Sequence, residues 1–280
     1  MDLKHHVARV CALTTVVTLL FARLALAADT PPAGGLSPET LTKIDAAAAE
    51  VLKKTGAPSA SIAIVRDGRT AYLRAYGDAR LEPKLPAETG MRYAIGSVSK
   101  QFTAAAILLL QQDGKLSLDD KVAKYLPELT RANDITVRQL LSHTAGYQDY
   151  WPQDYMFPLM VEPVAPERTM DRWARKSIDY EPGTKWQYSN TGYVIAGRII
   201  EKVSGQPLFA FLQERIFTPL QMTSVRDFDN EPLAAGNATG YGSFALGPPR
   251  VAAPASGFSD AGPMSLRVMK PSAPRPSPGT

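Results

Sequence analysis

Asp67-Gly68 stands between two β-rich runs, Ala60 to Arg66 and Arg69 to Tyr76. Both residues tolerate positive φ, so the dipeptide reads as a two-residue turn joining the runs into an antiparallel hairpin. Helices hem that hairpin in. Upstream, Ser37-Pro38-Glu39 reads as an N-cap with proline at the first helical position. Leu41, Ile44, Ala48, Val51 and Leu52 follow as one apolar face, and Gly56 closes the helix. Downstream, a short strand-like run, Met91 to Ile95, gives way to a long helix through Phe102, Ala106, Leu109 and Leu110 to Gly114. Thr136-Val137-Arg138-Gln139 forms a capping box for a helix from Val137 to about His143. Pro182-Gly183 then punctuates the chain. A helix from Thr191 to Ser204 is ended by Gly205, and another runs from Pro207 to Phe217, stopped before Pro219. The order is helix, hairpin, long helix, then a mostly helical stretch without internal repeat.

With 280 residues and 45% hydrophobic content, the chain can bury a substantial core in one large domain or two. Met1 to Ala27 reads as a secretory leader: Lys4 and Arg9 are its positive start, Val10 to Phe21 its apolar run, Ala25-Leu26-Ala27 its cleavage site. The apolar run falls short of the ~18 residues of a membrane span, and Arg23 interrupts its end. The expectation is an exported protein, periplasmic or secreted, with no stable membrane anchor after cleavage. The single cysteine, Cys11, lies in the leader, which leaves the mature chain without a disulfide, thiol nucleophile or cysteine metal ligand. Loss of Lys4, Arg9 and Arg23 together with Asp2 lowers the formal charge from +4 to +2. The remaining Lys and Arg are spread along the chain without forming a stripe, so nothing supports a nucleic-acid partner. The expected division is 1–27 signal peptide, 28–126 an N-terminal α/β part, 127–246 a mainly helical domain and 247–280 a disordered tail. That tail carries eight prolines from Gly247 to Thr280.

The chemistry is concentrated in Ser97-Val98-Ser99-Lys100 and Tyr188-Ser189-Asn190. A serine with a lysine three residues on places hydroxyl and amine side by side on one helix face, as a lysine-activated nucleophile requires. Alone, the pattern is expected about once by chance in a chain of this length. Its place at a strand-to-helix junction strengthens it, because the positive end of the helix dipole favours negative charge developing at Ser97. The same field makes a neutral Lys100, and so a base, easier to reach. Tyr188 is suited to relaying a proton, and Asn190 to holding a substrate amide or carbonyl. The alternative for these residues is ordinary helix-start duty. A Ser-His-Asp arrangement has little to draw on: beyond the leader only His143 remains, and no Gly-x-Ser-x-Gly elbow surrounds any serine.

Three segments in this order resemble the class C type serine β-lactamases and their relatives, the penicillin-binding D-Ala-D-Ala peptidases and related esterases. They are Tyr93-Ala-Ile-Gly-Ser97-Val-Ser-Lys100, Leu140-Leu-Ser-His-Thr-Ala-Gly146 and Glu181-Pro-Gly-Thr-Lys-Trp-Gln-Tyr188-Ser-Asn190-Thr-Gly-Tyr193. The resemblance spans about Leu41 to about Asp260. It implies an α+β fold of the β-lactamase/transpeptidase type, an antiparallel sheet flanked by helices plus an all-helical domain, with the active site between them. It further implies that Ser97 is the acylated nucleophile, Lys100 its general base, Tyr188 a proton relay and Asn190 a substrate-orienting residue. His143 is similar to the family's structural histidine. No metal or organic cofactor goes with that chemistry. The substrate would be a small molecule or peptide: a β-lactam, a D-amino acid peptide or an ester.

The family's third motif, a Lys or His followed by Thr or Ser and then Gly on a late strand, has no counterpart after Asn190. Lys270-Pro271-Ser272 has the wrong third residue, and Pro271 cannot donate to a sheet. The late strands are therefore expected to be missing, as after a frameshift or premature stop. By the resemblance, the late strand carries one of two oxyanion donors, and losing one costs roughly a hundred- to a thousand-fold in rate. Two readings follow: a serine hydrolase acylated at Ser97, or a catalytically impaired remnant that at most binds cell-wall peptide.

Overall fold

The computed structural model describes residues 35–150, 164–227, 236–242 and 251–252. The expected leader lies outside the described residues, as does the expected tail apart from Val251 and Ala252. Helix α1 spans Pro38–Thr55; the Ser37 hydroxyl accepts from the Thr40 N–H, and Gly56 ends the helix in the left-handed region at φ 71°. Strands β1 (Ser59–Arg66) and β2 (Arg69–Leu81) form the hairpin, registered from Ser59 opposite Gly77 to Arg66 opposite Arg69. Asp67 at φ 52° and Gly68 at φ 71° make the turn with two positive φ angles that matches strand twist. A third strand not foreseen in the sequence, β3 (Lys84–Pro86), pairs antiparallel with the extended end of β2, giving the order β1-β2-β3.

Helix α1 is tied to the hairpin by a polar clamp: Tyr72 and Tyr76 both donate to the Asp45 carboxylate, at 2.7 and 2.6 Å. That contact aims Leu41, Ile44, Ala48 and Leu52 inward. Val51 lies roughly 65° from the centre of that face at ~100° per residue, and it is exposed rather than packed.

The run Met91 to Ile95 is not a strand. Among the described residues only Arg92 bridges, beside Asn237, with its N–H donating to Gly236 O and its carbonyl accepting from Ala238 N, both at 2.9 Å. The chain returns there along the sheet: Thr239 N donates to Ala79 O and Leu81 N to the Tyr241 hydroxyl. A separate two-residue pair follows, β4 (Tyr241–Gly242) against β5 (Val251–Ala252).

The long helix begins differently from expectation. Gly96–Ser99 form a 3₁₀ turn, and α2 proper spans Lys100–Gln112. The capping box at Thr136 is complete, with Gln139 reaching back to the Thr136 N–H. Helix α3 nevertheless stops at Leu141 (Val137–Leu141), short of His143, whose φ of 60° no α-helix accommodates. Pro166–Thr169 form α4, which widens into a π turn over Met170–Ala174. Helix α5 spans Asn190–Ser204 and α6 Leu208–Leu212, the latter also widening into a π turn over Gln213–Phe217.

One apolar core joins these helices. Ala106, Ile107 and Leu110 of α2 meet Val194, Ile195, Ile199 and Ile200 of α5, with Phe211 and Phe217 closing one side and Val137 and Leu140 the other, all buried. At roughly 1.5–3 kcal/mol per buried large apolar side chain, this core fixes α2 against α5. That is the contact the site depends on. Among the described residues, no helix is long and apolar enough to cross a membrane.

Candidate active site

Ser97 sits exposed in the 3₁₀ turn, while Lys100, one turn on, is buried at the head of α2. The offset follows from geometry. A residue at i+3 lies over the same face but one turn deeper, and the α2–α5 contact covers it. Lys100 Nζ donates to Ser97 Oγ at 3.2 Å and to Asn190 Oδ1 at 2.8 Å. The same amine lies 5.2 Å from the Tyr188 ring centre and 5.6 Å from that of Tyr193. Tyr188 brings its hydroxyl to 2.7 Å from Ser97 Oγ. The four residues singled out in the sequence thus converge, some ninety positions of chain having been folded back to bring the phenol onto the serine.

Two loops crossing one another hold Tyr188 in place. Gly146 O accepts from Asp179 N, Thr144 O from Gly183 N and His143 O from Gln187 N, at 2.8, 2.8 and 3.0 Å. The approach at Gly146 leaves no room for a side chain: a Cβ there would stand 2.4 Å from Tyr180 O, at φ 86°. His143 then acts as a spacer. Its Nδ1 accepts from the Ser189 N–H at 3.1 Å, and its ring lies against those of Tyr188 (4.6 Å between centres) and Tyr193 (5.2 Å). Burial first, and then the nearby Lys100 charge, lower its pKa below the usual 6.5, which keeps the ring neutral with Nδ1 able to accept.

Asn190 opens α5, beside the N-cap Ser189, whose hydroxyl accepts from Gly192 N. Its side chain is buried, and both ends of the amide are engaged: Oδ1 accepts from Lys100 Nζ, and Nδ2 donates to Asp149 Oδ2 at 3.0 Å. Sequence reasoning passed over Asp149. Its only signal is an acid between aromatic neighbours in Tyr147-Gln148-Asp149-Tyr150, three residues past Gly146. Asp149 is buried and also accepts the N–H groups of Asn190 and Thr191 at 2.9 and 3.2 Å. Burial raises its pKa above the ordinary carboxylate value, against the opposing pull of these donors.

Ile95 and Val98 flank the serine with about half their surface exposed, and Trp186, two-thirds exposed, stands edge-on to His143 at 5.9 Å. No group of three or more His, Cys, Asp or Glu able to hold a metal is found among the described residues.

The chain is similar to several known proteins. Penicillin-binding protein 4* of Bacillus subtilis (strain 168) is 34% identical over 164 residues, which is 58% of this chain and 36% of that protein. The solved D-amino acid amidase of Ochrobactrum anthropi SV3 superposes with a TM-score of 0.67 at 30% identity, covering 81% of this chain and 65% of that one. A D-stereospecific amidohydrolase from Streptomyces gives a TM-score of 0.64 at 31% identity, covering 78% and 67%. The chain spans about half or less of the length of the curated relatives it matches. The family model described as Beta-lactamase matches residues 44–272, about twelve residues past the point where the sequence resemblance faded. On this match, with the α+β architecture and the three motifs in order, the chain belongs to the beta-lactamase family.

Proposed function

We propose that this chain is a serine hydrolase that acylates Ser97 and hydrolyses an amide, lactam or ester. The observation that carries the reading is the convergence on Ser97 Oγ of Tyr188 Oη at 2.7 Å and Lys100 Nζ at 3.2 Å. A hydroxyl flanked by two titratable groups at hydrogen-bond distance can lose its proton as it attacks. In this reading Lys100, acting as base, takes the Ser97 proton while Oγ bonds to the substrate carbonyl carbon. Tyr188 passes a proton on to the departing amine or alkoxide as its bond to carbon breaks. Water then attacks the Ser97 ester by the same route in reverse, releasing the acid and restoring the serine. Asn190 orients Lys100 and the neighbouring substrate.

The similar solved structures are named a D-amino acid amidase and a D-stereospecific amidohydrolase, so an amide of a D-amino acid is the leading natural substrate class. The exposed Ile95 and Val98, on either side of Ser97 in the chain, suit an apolar side chain on that substrate. An ester demands least of the binding site and is the best first assay. Export fits both the leader-like Met1 to Ala27 and the likeness to a penicillin-binding protein; a mature N-terminus at Ala28 in secreted material is the expected sign.

The test is covalent. Purified protein incubated with a fluorophosphonate or a fluorescent penicillin is digested, and the adduct is located by mass spectrometry. A label on Ser97, lost in Ser97→Ala, is expected. A folded protein, by circular dichroism, that carries no label at Ser97 and turns over no p-nitrophenyl ester refutes the reading and leaves a non-catalytic binder.

A further inference from the structure

Asp149 is buried and reaches the reacting serine through two intermediaries, Asn190 and then Lys100. Its surroundings form a chain of polarity. The N–H groups of Asn190 and Thr191 at the start of α5 donate to Asp149 Oδ1, and Asn190 Nδ2 donates to Asp149 Oδ2. The Asn190 amide has one donor end and one acceptor end. With Nδ2 engaged by the carboxylate, Oδ1 has to face the other way, and there it meets Lys100 Nζ at 2.8 Å. Lys100 Nζ in turn reaches Ser97 Oγ. Each link dictates the sense of the next.

We infer that Asp149 is a positioning residue for catalysis, which sets the orientation of the Asn190 amide and through it aims Lys100 at Ser97. The inference rests on the serine hydrolase reading above and deepens it. Asp149 is supplied by the segment after Gly146, and Asn190 by the first turn of α5. Aiming the amine therefore depends on the docking of those two segments as well as on the packing of α2, which carries Lys100, against α5.

The polarity of the chain makes a sharp prediction. In Asp149→Asn, the new amide keeps its oxygen on the α5 N–H groups and turns its NH₂ toward Asn190 Nδ2. Two donors then face each other. If Asn190 flips to relieve this, its NH₂ faces Lys100 Nζ, which loses the oxygen that now holds it. Either two donors face each other or Lys100 loses the Asn190 oxygen that aims it. The exchanged pair, Asp149→Asn with Asn190→Asp, restores the sequence of donors and acceptors. The amide now at position 149 takes the helix N–H groups on its oxygen and donates to one oxygen of the carboxylate now at position 190. The other oxygen of that carboxylate accepts from Lys100.

The experiment measures p-nitrophenyl acetate turnover and the rate of fluorophosphonate labelling in wild type, Asp149→Asn, Asn190→Asp and the exchanged pair, with folding followed by circular dichroism. Asp149→Asn is expected to lose roughly 10- to 100-fold in kcat and labelling rate, the scale of a hydrogen bond to a charged group, with KM within about threefold of wild type. The exchanged pair is expected to exceed both single variants by at least about tenfold, a rescue that a purely structural role would not produce. If Asp149→Asn fails to fold, Asn190→Asp against the exchanged pair carries the same comparison, since each keeps a carboxylate at the start of α5. A folded Asp149→Asn with wild-type kcat, or an exchanged pair no faster than Asn190→Asp, overturns the inference while the hydrolase reading stands. A wild type that neither turns over ester nor takes label overturns the hydrolase reading itself, and this inference with it.

Discussion

Tyr188→Phe removes one oxygen atom and little else. The ring is held by its face against His143, 4.6 Å between centres, and this contact is indifferent to the hydroxyl. The residue is 38% exposed, so the loss of its hydroxyl is expected to change stability by no more than ~0.5 kcal/mol, as for most surface substitutions. The chemistry loses much more. The hydroxyl stands 2.7 Å from Ser97 Oγ, closer than Lys100 Nζ at 3.2 Å. Losing a positioned proton-transfer group costs about 10²- to 10⁴-fold. Because Lys100 remains within reach, the lower half of that range is expected: kcat/KM down by roughly 10²- to 10³-fold, or about 2.7–4 kcal/mol of transition-state stabilisation. Stopped-flow acylation by a p-nitrophenyl ester, paired with a thermal melt, separates the two effects. A Tyr188→Phe protein with an unchanged melting temperature and an acylation rate within about threefold of wild type would show that the phenol is a bystander, and the proton route through Tyr188 would have to be abandoned.

Three further outcomes are expected. His143→Gln keeps an acceptor near the Ser189 N–H but loses the ring stack, so activity should fall by about tenfold; abolition of activity, alongside an active Lys100→Ala, would instead indicate a histidine-based triad. Gly146→Ala forces a Cβ to 2.4 Å from Tyr180 O at φ 86°, and the loops that carry Tyr188 should separate, at a cost of about 3 kcal/mol or more in urea unfolding. Asp120 accepts from Lys124, Tyr125 and the Ser117 N–H, and these bonds, Lys124 foremost, hold its pKa at about 2. Because the unfolded value of 3.8 is higher, the unfolded chain takes up protons first as pH falls. The contribution of Asp120, roughly 2 kcal/mol, should be complete above about pH 5 and nearly gone by about pH 2. Asp120→Asn should therefore be less stable than wild type at about pH 7 and close to it at about pH 2 in urea titrations.

The elements legible in the sequence are those written in local chemistry. The hairpin turn at Asp67-Gly68, the caps at Ser37 and Thr136, and the glycine stops at Gly56 and Gly205 each depend on a few adjacent residues, and each stands where expected. The run Met91 to Ile95 departs from its expected strand because β-prone residues pair only where a partner backbone lies alongside, and here only Arg92 finds one. Helix α3 is shorter than its pattern because nothing in the sequence announces that His143 adopts φ 60°.

The site divides along the same line. Ser97 and Lys100 are neighbours by helix geometry, so their pairing is a property of the sequence. Tyr188 and Asn190 can be named from their motif, but their arrival at Ser97 rests on the α2–α5 core and on the crossing of the 143–146 and 179–187 segments, contacts between residues tens of positions apart. Asp149 belongs wholly to tertiary structure. An isolated acid carries no pattern, and it acquires a role only when burial brings it against donors that include the Asn190 amide, the α5 N–H groups and the Thr191 hydroxyl. Local bonding rules wrote the nucleophile and its amine into the chain, whereas the direction in which that amine points was decided by long-range packing, which sequence spacing does not encode.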